Sequence, residues 1–380
     1  MPGSSPRHFP NPYIMPRPIT ASIRLSALRS NLGRARALAP GSKLWAVVKA
    51  NAYGHGVLEA ASAFSAADGL ALVEFDAAAR LRQAGWVRPI LMLEGAFDPA
   101  DLQQASEQGL SLVVHDPVQL EWLTAHGGPA IDVFLKLNTG MNRLGVALAQ
   151  ADSFFERLSR CPSVRSVSWM THFANADVEG GTLIPLGRFD AAVAHRRAPH
   201  SLANSAALFD APATHRHWVR PGIMLYGSSP FADRSAASLG LQPAMVLHSR
   251  LLAVQQLEKG DSVGYGSTFT ADRAMRIGIV AGGYADGYPR HAPTGTPVAV
   301  EGIRTQTLGR VSMDMMAVDL TGIDHAAPGS PVELWGMTIP IDEVAQAAGT
   351  IAYELMCGVA PRVRREVISD GVSDQNPVRL

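Results

Sequence analysis

Lys49 is the residue around which chemistry in this chain can be built. It follows an apolar run of strand length, residues 44–48, and precedes small, polar and glycine residues in the stretch LWAVVKANAYGHG, residues 44–56. An ammonium at the end of a buried strand is costly unless it is paired, deprotonated or chemically committed. Two readings follow: a surface lysine where a strand leaves the core, or a desolvated amine held for Schiff-base chemistry. Lys136, His172 and the Asn204–Ser205 pair raise the same choice, because each falls at or just after the end of an apolar run. A lone strand-end histidine is more often structural than a ligand.

The elements that must position these residues alternate. Strand-like runs are expected at 44–49, 70–73, 89–93, 112–115, 133–137, 164–171, 200–203 and 222–226, with helical spacing at 56–64, 75–84, 99–108, 117–125, 147–158 and 185–195. Eight parallel strands joined by helical crossovers close a (β/α)8 barrel. A doubly wound open sheet is the alternative. The barrel is favoured because the reactive side chains gather at strand ends, the face where barrel active sites collect, whereas an open sheet would gather them near one switch point. A strand at 20–25 and a helix at 25–38 precede this alternation. Beyond about residue 230 the texture becomes β-rich, with runs at 241–257, 275–280, 294–300, 305–308, 315–320 and 331–334, and helical spacing only at 341–348 and near 351–356. The chain thus divides into a proline-rich flexible arm (1–18), a barrel (19–236) and a mostly β domain (237–380), both of domain-like size.

Composition removes several function classes. Thirty-three basic residues balance 33 acidic ones in 380, which favours neither nucleic acid nor a membrane surface as partner. Two distant cysteines, Cys161 and Cys357, do not make a disulfide scaffold, though one bridge between them stays open. The first twenty residues hold six prolines and no apolar signal core, and no run is long enough to span a bilayer, so a cytoplasmic protein is expected. The twelve histidines form no HExxH, the cysteines no CxxC, and neither GxGxxG after a strand nor a Walker motif is present. Residues 282–287, GGYADG, fit a tight loop at least as well as an anion cradle.

Taken together, the motifs resemble one family. Lys49-Ala50-Asn51-Ala52-Tyr53-Gly54-His55-Gly56 is similar to the cofactor-lysine motif of the alanine racemases, and the resemblance runs from Ile19 to Cys357. It implies an N-terminal (β/α)8 barrel that binds pyridoxal 5′-phosphate, a C-terminal β domain joined by the chain's first strand, and two chains paired head to tail. It implies that Lys49 holds the cofactor as a Schiff base and is one of two catalytic bases. Tyr53 and Tyr353 would bind the phosphate through their hydroxyls, with Asn204, Ser205, Gly222 and Ile223 completing the cradle. Read alone, each tyrosine could equally be a core aromatic with a hydrogen-bonded tip.

Arg220 matches the arginine that faces the pyridine nitrogen, and His172 a residue that hydrogen-bonds it. An arginine cannot accept a proton there, so the ring stays a weaker electron sink and reprotonation at Cα outruns other fates of the carbanion. Tyr265, in Val263-Gly264-Tyr265-Gly266-Ser267, matches the second base, which the family draws from the partner subunit. Racemisation needs a proton removed from one face and delivered to the other, so Lys49 and Tyr265 would take opposite faces. Arg143 matches a contact to substrate and cofactor; Lys136 matches a lysine carrying a carbamate in many relatives. Here Asn138 stands where an acidic residue is usual. Met313 and Asp314 match the segment that meets the substrate carboxylate, with Ser312 where many relatives have cysteine, and Tyr284 and Arg290 match the substrate entrance. The implied activity is interconversion of L- and D-alanine, supplying peptidoglycan or serving alanine catabolism. A broader amino-acid or serine racemase is the nearest alternative, ahead of a decarboxylase or a non-catalytic cofactor-binding protein.

Overall fold

Parallel pairing organises the first part of the chain. The computed structural model describes residues 17–368, so the arm expected at 1–18 lies outside the described residues except for its last two positions. The strand β1 (Thr20–Arg24) runs into a helix, Leu25–Leu38. Eight strands then follow: β2 (Lys43–Val47), β3 (Gly69–Leu72), β4 (Ile90–Met92), β5 (Ser111–Val114), β6 (Ile131–Lys136), β7 (Val164–Met170), β8 (His200–Ser201) and β9 (Trp218–Val219). Each pairs in parallel with the next and β9 pairs with β2, closing the barrel. The sequences GLAL, ILM and SLVV are apolar apart from Ser111, as expected of strands covered on both faces, and all are buried. The interior is packed across its width: Trp45 of β2 stacks on Trp218 of β9 at 4.1 Å and meets Phe134 of β6 edge-on at 5.9 Å.

Capping chemistry sets several crossover helices. The helices Pro99–Gln108 and Pro117–Ala125 each begin with an Asp N-cap and a proline in the first turn; Asp98 accepts from Ala100 and Asp101 N–H, and Asp116 from Val118 N–H. The helix expected at 147–158 starts as a 3-10 turn, Leu148–Gln150, and continues as Ala151–Arg160. One expectation is corrected. Residues 222–226 are not the eighth strand; Ile223–Tyr226 is a 3-10 turn, and β9 lies just before it. All four residues of that turn are buried, and a short buried apolar run looks the same in sequence whether it is strand or turn.

The second sheet is built from β10 (Met245–Leu257), β13 (Met275–Ala281), β14 (Pro297–Val300), β15 (Ile303–Leu308), β16 (Met315–Asp319), β17 (Pro331–Trp335) and β18 (Arg364–Ile368), while β11 (Ser262–Val263) and β12 (Phe269–Thr270) form a separate hairpin. Its order is β13-β16-β15-β14-β17-β10-β1-β18, and β10 also pairs with β13. The thirteen residues of β10 make this possible, since its first part meets β1 and β17 and its second part meets β13. β1 therefore belongs to this sheet, antiparallel to β10 and parallel to β18. The hairpin is held by its own small core of Val263, Ala271, Met275, Ile277, Leu308 and Ala317. β11, β12 and β18 carry no sequence signal: two are two residues long, and the third reads RREVI.

Candidate active site

Lys49 does not end its strand but opens a turn of unusual hand. After β2, Ala50, Asn51 and Ala52 adopt φ/ψ of 53/50°, 52/47° and 54/53°, and Tyr53 follows at φ 51°. Four L-residues in the left-handed region cost roughly 1–2 kcal/mol each. Such strain persists only where surroundings over-determine it. Glu74 Oε1 accepts from Ala50 N–H at 2.8 Å, Arg365 Nε of β18 donates to Gly54 O at 2.9 Å, and Asn51 Oδ1 accepts from Val57 N–H at 2.9 Å. His55 Nδ1 lies 3.1 Å from Ala52 O and 2.9 Å from Tyr53 O. The turn is thus held from both the barrel and the second sheet.

The Tyr53 hydroxyl then meets the segment that follows β9, the strand paired with β2. Its ring stacks on Tyr226 at 4.6 Å and leans on Tyr353 at 5.8 Å, and Tyr226 donates to Val47 O at 2.8 Å. A Cβ on Gly222 would stand 2.6 Å from the Tyr53 oxygen, so only glycine admits this approach. Ser205 Oγ accepts from Gly222 N–H at 2.9 Å, and Asn204 caps the helix Ser205–Asp210 through Ala207 N–H. Burial first, then the neighbouring Tyr353 and Cys357, hold the Tyr53 phenol well above its ordinary pKa, so it stays a protonated donor. Hydroxyls and amides converging on one glycine make a cradle suited to an anion such as phosphate.

Beside the cradle lies a set of cations. Arg220, buried just after β9, donates to Ser201 Oγ (2.8 Å), Thr171 O (2.7 Å), Leu202 O (3.1 Å) and His172 Nδ1 (3.3 Å). Burial lowers its pKa to about 10, which leaves it cationic at neutral pH. Burial first, then Arg220, Lys136, Arg143 and Lys49, push His172 well below its ordinary range. A neutral ring is what lets Nδ1 accept from the guanidinium. The Lys136 amine is likewise lowered to about 8, by burial and then by Arg220, Arg143 and Lys49, with Glu94 opposing. Asn138 organises the loop toward Arg143: its Oδ1 accepts from Gly140 and Asn142 N–H, both at 3.1 Å.

Lys49, Tyr53, Lys136, Arg143, His172, Asn204, Ser205, Arg220, Gly222, Ile223 and Tyr353 all line one cavity of about 1330 Å3 at the C-terminal ends of the barrel strands. Tyr265, Tyr284, Arg290, Met313 and Asp314 do not line it; all five belong to the second sheet domain. Tyr265 sits in the β11–β12 turn and is 74% exposed. Tyr284 N–H donates to Ser312 O and Ala285 N–H to Met313 O, both at 3.0 Å, while Arg290 lies over the Tyr284 ring at 5.9 Å. A Cβ on Gly283 would meet Ser312 O and Met313 O at 2.3 and 2.4 Å, so this pairing too requires glycine. The fully buried Asp286 ties the group down, accepting from Gly283 N–H and pairing with Arg17 and Arg362 at 2.7 and 2.8 Å. Arg362 also pairs with Asp314 at 2.6 Å.

Sequence reasoning passed over Tyr226, Glu74 and Arg365, which reach the site from distant segments. It also left His55 without a role, although that residue stands inside the lysine motif. Cys161 is buried, Cys357 is exposed and both are free, which closes the question of a bridge. No helix among the described residues is long and apolar enough to cross a membrane.

A parallel barrel with a lysine and an anion cradle at its mouth, joined in one chain to a mostly β domain, defines the fold type III class of pyridoxal-phosphate enzymes. Comparison with known proteins narrows the class. Residues 23–230 match the alanine racemase N-terminal domain and residues 244–367 the alanine racemase C-terminal domain. The chain is 55% identical over 355 residues to an alanine racemase of Nitrosospira multiformis and 54% identical over 355 residues to one of Janthinobacterium sp., covering 92% of this chain and 99% of each relative. Among solved structures it is similar to the biosynthetic alanine racemase of Pseudomonas aeruginosa (TM-score 0.91, 46% identity, 93% of this chain and 100% of that one) and to the alanine racemase of Acinetobacter baumannii (TM-score 0.87, 39% identity, the same coverages). The chain belongs to the alanine racemase family.

Proposed function

We propose that this protein interconverts L- and D-alanine with pyridoxal 5′-phosphate as cofactor, and that Lys49 and Tyr265 carry the proton on opposite faces of Cα. The observation that carries the reading is the joint presence of Lys49, Arg220 and the Tyr53–Ser205–Gly222 cradle in one barrel-mouth cavity. These residues fit the cofactor: hydroxyls and amides for a phosphate, an amine for an aldehyde, and a donor-only guanidinium for a ring nitrogen. When bound, the cofactor takes up the substrate's amine and withdraws electrons from Cα. Arg220 can donate a hydrogen bond but gives up no proton near neutral pH, which limits that withdrawal and favours simple return of the proton. Lys49 takes or returns the proton on its own side, and Arg143 binds the substrate. A neutral fraction of Lys136 can add carbon dioxide, forming an N–C bond and releasing a proton, and the resulting carbamate would hold Arg143.

Tyr265, Met313, Asp314, Tyr284 and Arg290 serve the cavity of a second copy in a head-to-tail homodimer, with the division of the chain near residues 236 and 237. Exposed apolar residues support this on both sides: Met313 and Met315 in the second sheet domain, and Val178, Leu183 and Ile184 in the segment that follows β7, with Ile351 lining the cavity. Closed two-fold pairing buries such complementary surfaces.

The activity is tested by the visible spectrum of the purified protein with and without D-alanine, followed by exchange of the Cα hydrogen with deuterated solvent. Lys49→Ala should lose the visible absorbance; a variant that stays yellow defeats the role of this lysine. Co-expressing Lys49→Ala with Tyr265→Phe tests the sharing of sites. A random mixture should regain about one quarter of wild-type turnover, because half the dimers are mixed and each holds one intact site. No recovery would place both groups on one chain.

A further inference from the structure

The left-handed turn has one support that belongs to no assigned role. His55 is 1% exposed, and its Nδ1 lies within hydrogen-bonding distance of two carbonyl oxygens, Ala52 O at 3.1 Å and Tyr53 O at 2.9 Å. Neither acceptor has a hydrogen, so the proton of the neutral ring must sit on Nδ1. Nε2 is then a bare lone pair, buried and without a partner. A buried polar atom left unpaired calls for a reason. Both carbonyls on Nδ1 belong to residues at positive φ, between Lys49 and Gly54. The ring also packs on Tyr226 at 4.7 Å, the aromatic on which Tyr53 stacks.

We propose that His55 is a positioning residue: its Nδ1–H holds the carbonyls of Ala52 and Tyr53 in the left-handed turn and so aims Lys49 and the Tyr53 hydroxyl into the cavity. The inference rests on the reading of Lys49 as the cofactor lysine. A right-handed turn over the same residues would rotate the two carbonyls away from the ring and redirect the Tyr53 side chain relative to Lys49. The hydrogen bond is therefore specific to the hand of the turn, whereas the contact with Tyr226 is only packing. Burial keeps the ring neutral, with Arg365 as the charged group that also disfavours protonation.

Two substitutions separate the donor from the ring. Asparagine keeps an N–H on the atom bonded to Cγ and loses the aromatic contact; phenylalanine keeps the contact and loses the donor. His55→Asn should bind cofactor with wild-type visible absorbance and retain turnover. His55→Phe should lose cofactor affinity and fall about 100-fold in kcat, the scale of a roughly 1 Å misplacement at a reacting group. The proposal is overturned if His55→Phe matches wild type, or if Asn is as impaired as Phe. A measurement on the unaltered holoenzyme stands apart from folding of either variant. Nitrogen-15 NMR of the labelled imidazole should show Nδ1 protonated and Nε2 bare, and the opposite tautomer would overturn the assignment. Wild-type protein lacking visible absorbance altogether would instead mean that the cofactor reading itself had failed.

Discussion

Gly222→Ala should weaken cofactor binding through a single contact. The added Cβ would stand 2.6 Å from Tyr53 Oη and 3.5 Å from Cζ. Ordinary carbon–oxygen contacts begin near about 3.3 Å, so the hydroxyl must retreat by about 0.7 Å. It cannot swing freely, because the Tyr53 ring is stacked on Tyr226 at 4.6 Å and lies against Tyr353 at 5.8 Å. Overpacking of this kind costs typically about 1–3 kcal/mol. If the loss falls on the cradle rather than on the fold, cofactor affinity drops by roughly 5- to 150-fold. The assay is titration of the cofactor-stripped protein, read by visible absorbance. Tyr53→Phe provides the control: removing the oxygen relieves the clash, so the double variant should lose less than the sum of the singles. Unchanged affinity for Gly222→Ala refutes the reasoning, as does additivity within about 0.5 kcal/mol in the double variant.

Two other outcomes follow from the geometry. Tyr265→Phe should leave the bound-cofactor spectrum intact and lower turnover by about 10²- to 10⁴-fold, the usual range for losing one acid–base group; loss of cofactor binding would contradict its place outside the cradle. Acid should destabilise the cofactor-free protein through His55, whose pKa falls from 6.5 to about 4 on folding. Between those values the unfolded chain binds the extra proton, so stability rises with pH: this contribution is present in full above about 6.5 and lost as pH falls toward 4. It amounts to about 3 kcal/mol. Urea unfolding of wild type and His55→Asn across that window should give a shallower pH slope for the variant, and parallel slopes would rule the contribution out.

Legibility in the sequence followed the range of the forces involved. The helices Pro99–Gln108 and Pro117–Ala125 were readable to the residue because Asp caps and prolines act locally. Both architectures were legible from the alternation of apolar runs with helical spacing and its change after residue 230. The eighth strand was misplaced because Ile223–Tyr226 and Trp218–Val219 differ only in which ladder they can reach, and the β11–β12 hairpin is too short to show a period.

What the order of residues determined by itself is the chemical inventory: an amine after an apolar run, an arginine followed by Pro221 and Gly222, and a phenol in a glycine-flanked turn. Tertiary structure decided how these are distributed. It assembled eleven of the candidate residues around one cavity and left Tyr265, Tyr284, Arg290, Met313 and Asp314 on the second sheet domain. It also decided the hand of the Lys49 turn, since of Ala-Asn-Ala-Tyr only Asn51 is a residue type that visits positive φ readily. That conformation is imposed by Glu74, His55 and Arg365, one of them some 310 residues away along the chain, where the hydrogen bond runs from Arg365 to Gly54 (a separation of 311). Local preference in a short turn is worth only a few kcal/mol, and contacts from outside the turn can override it.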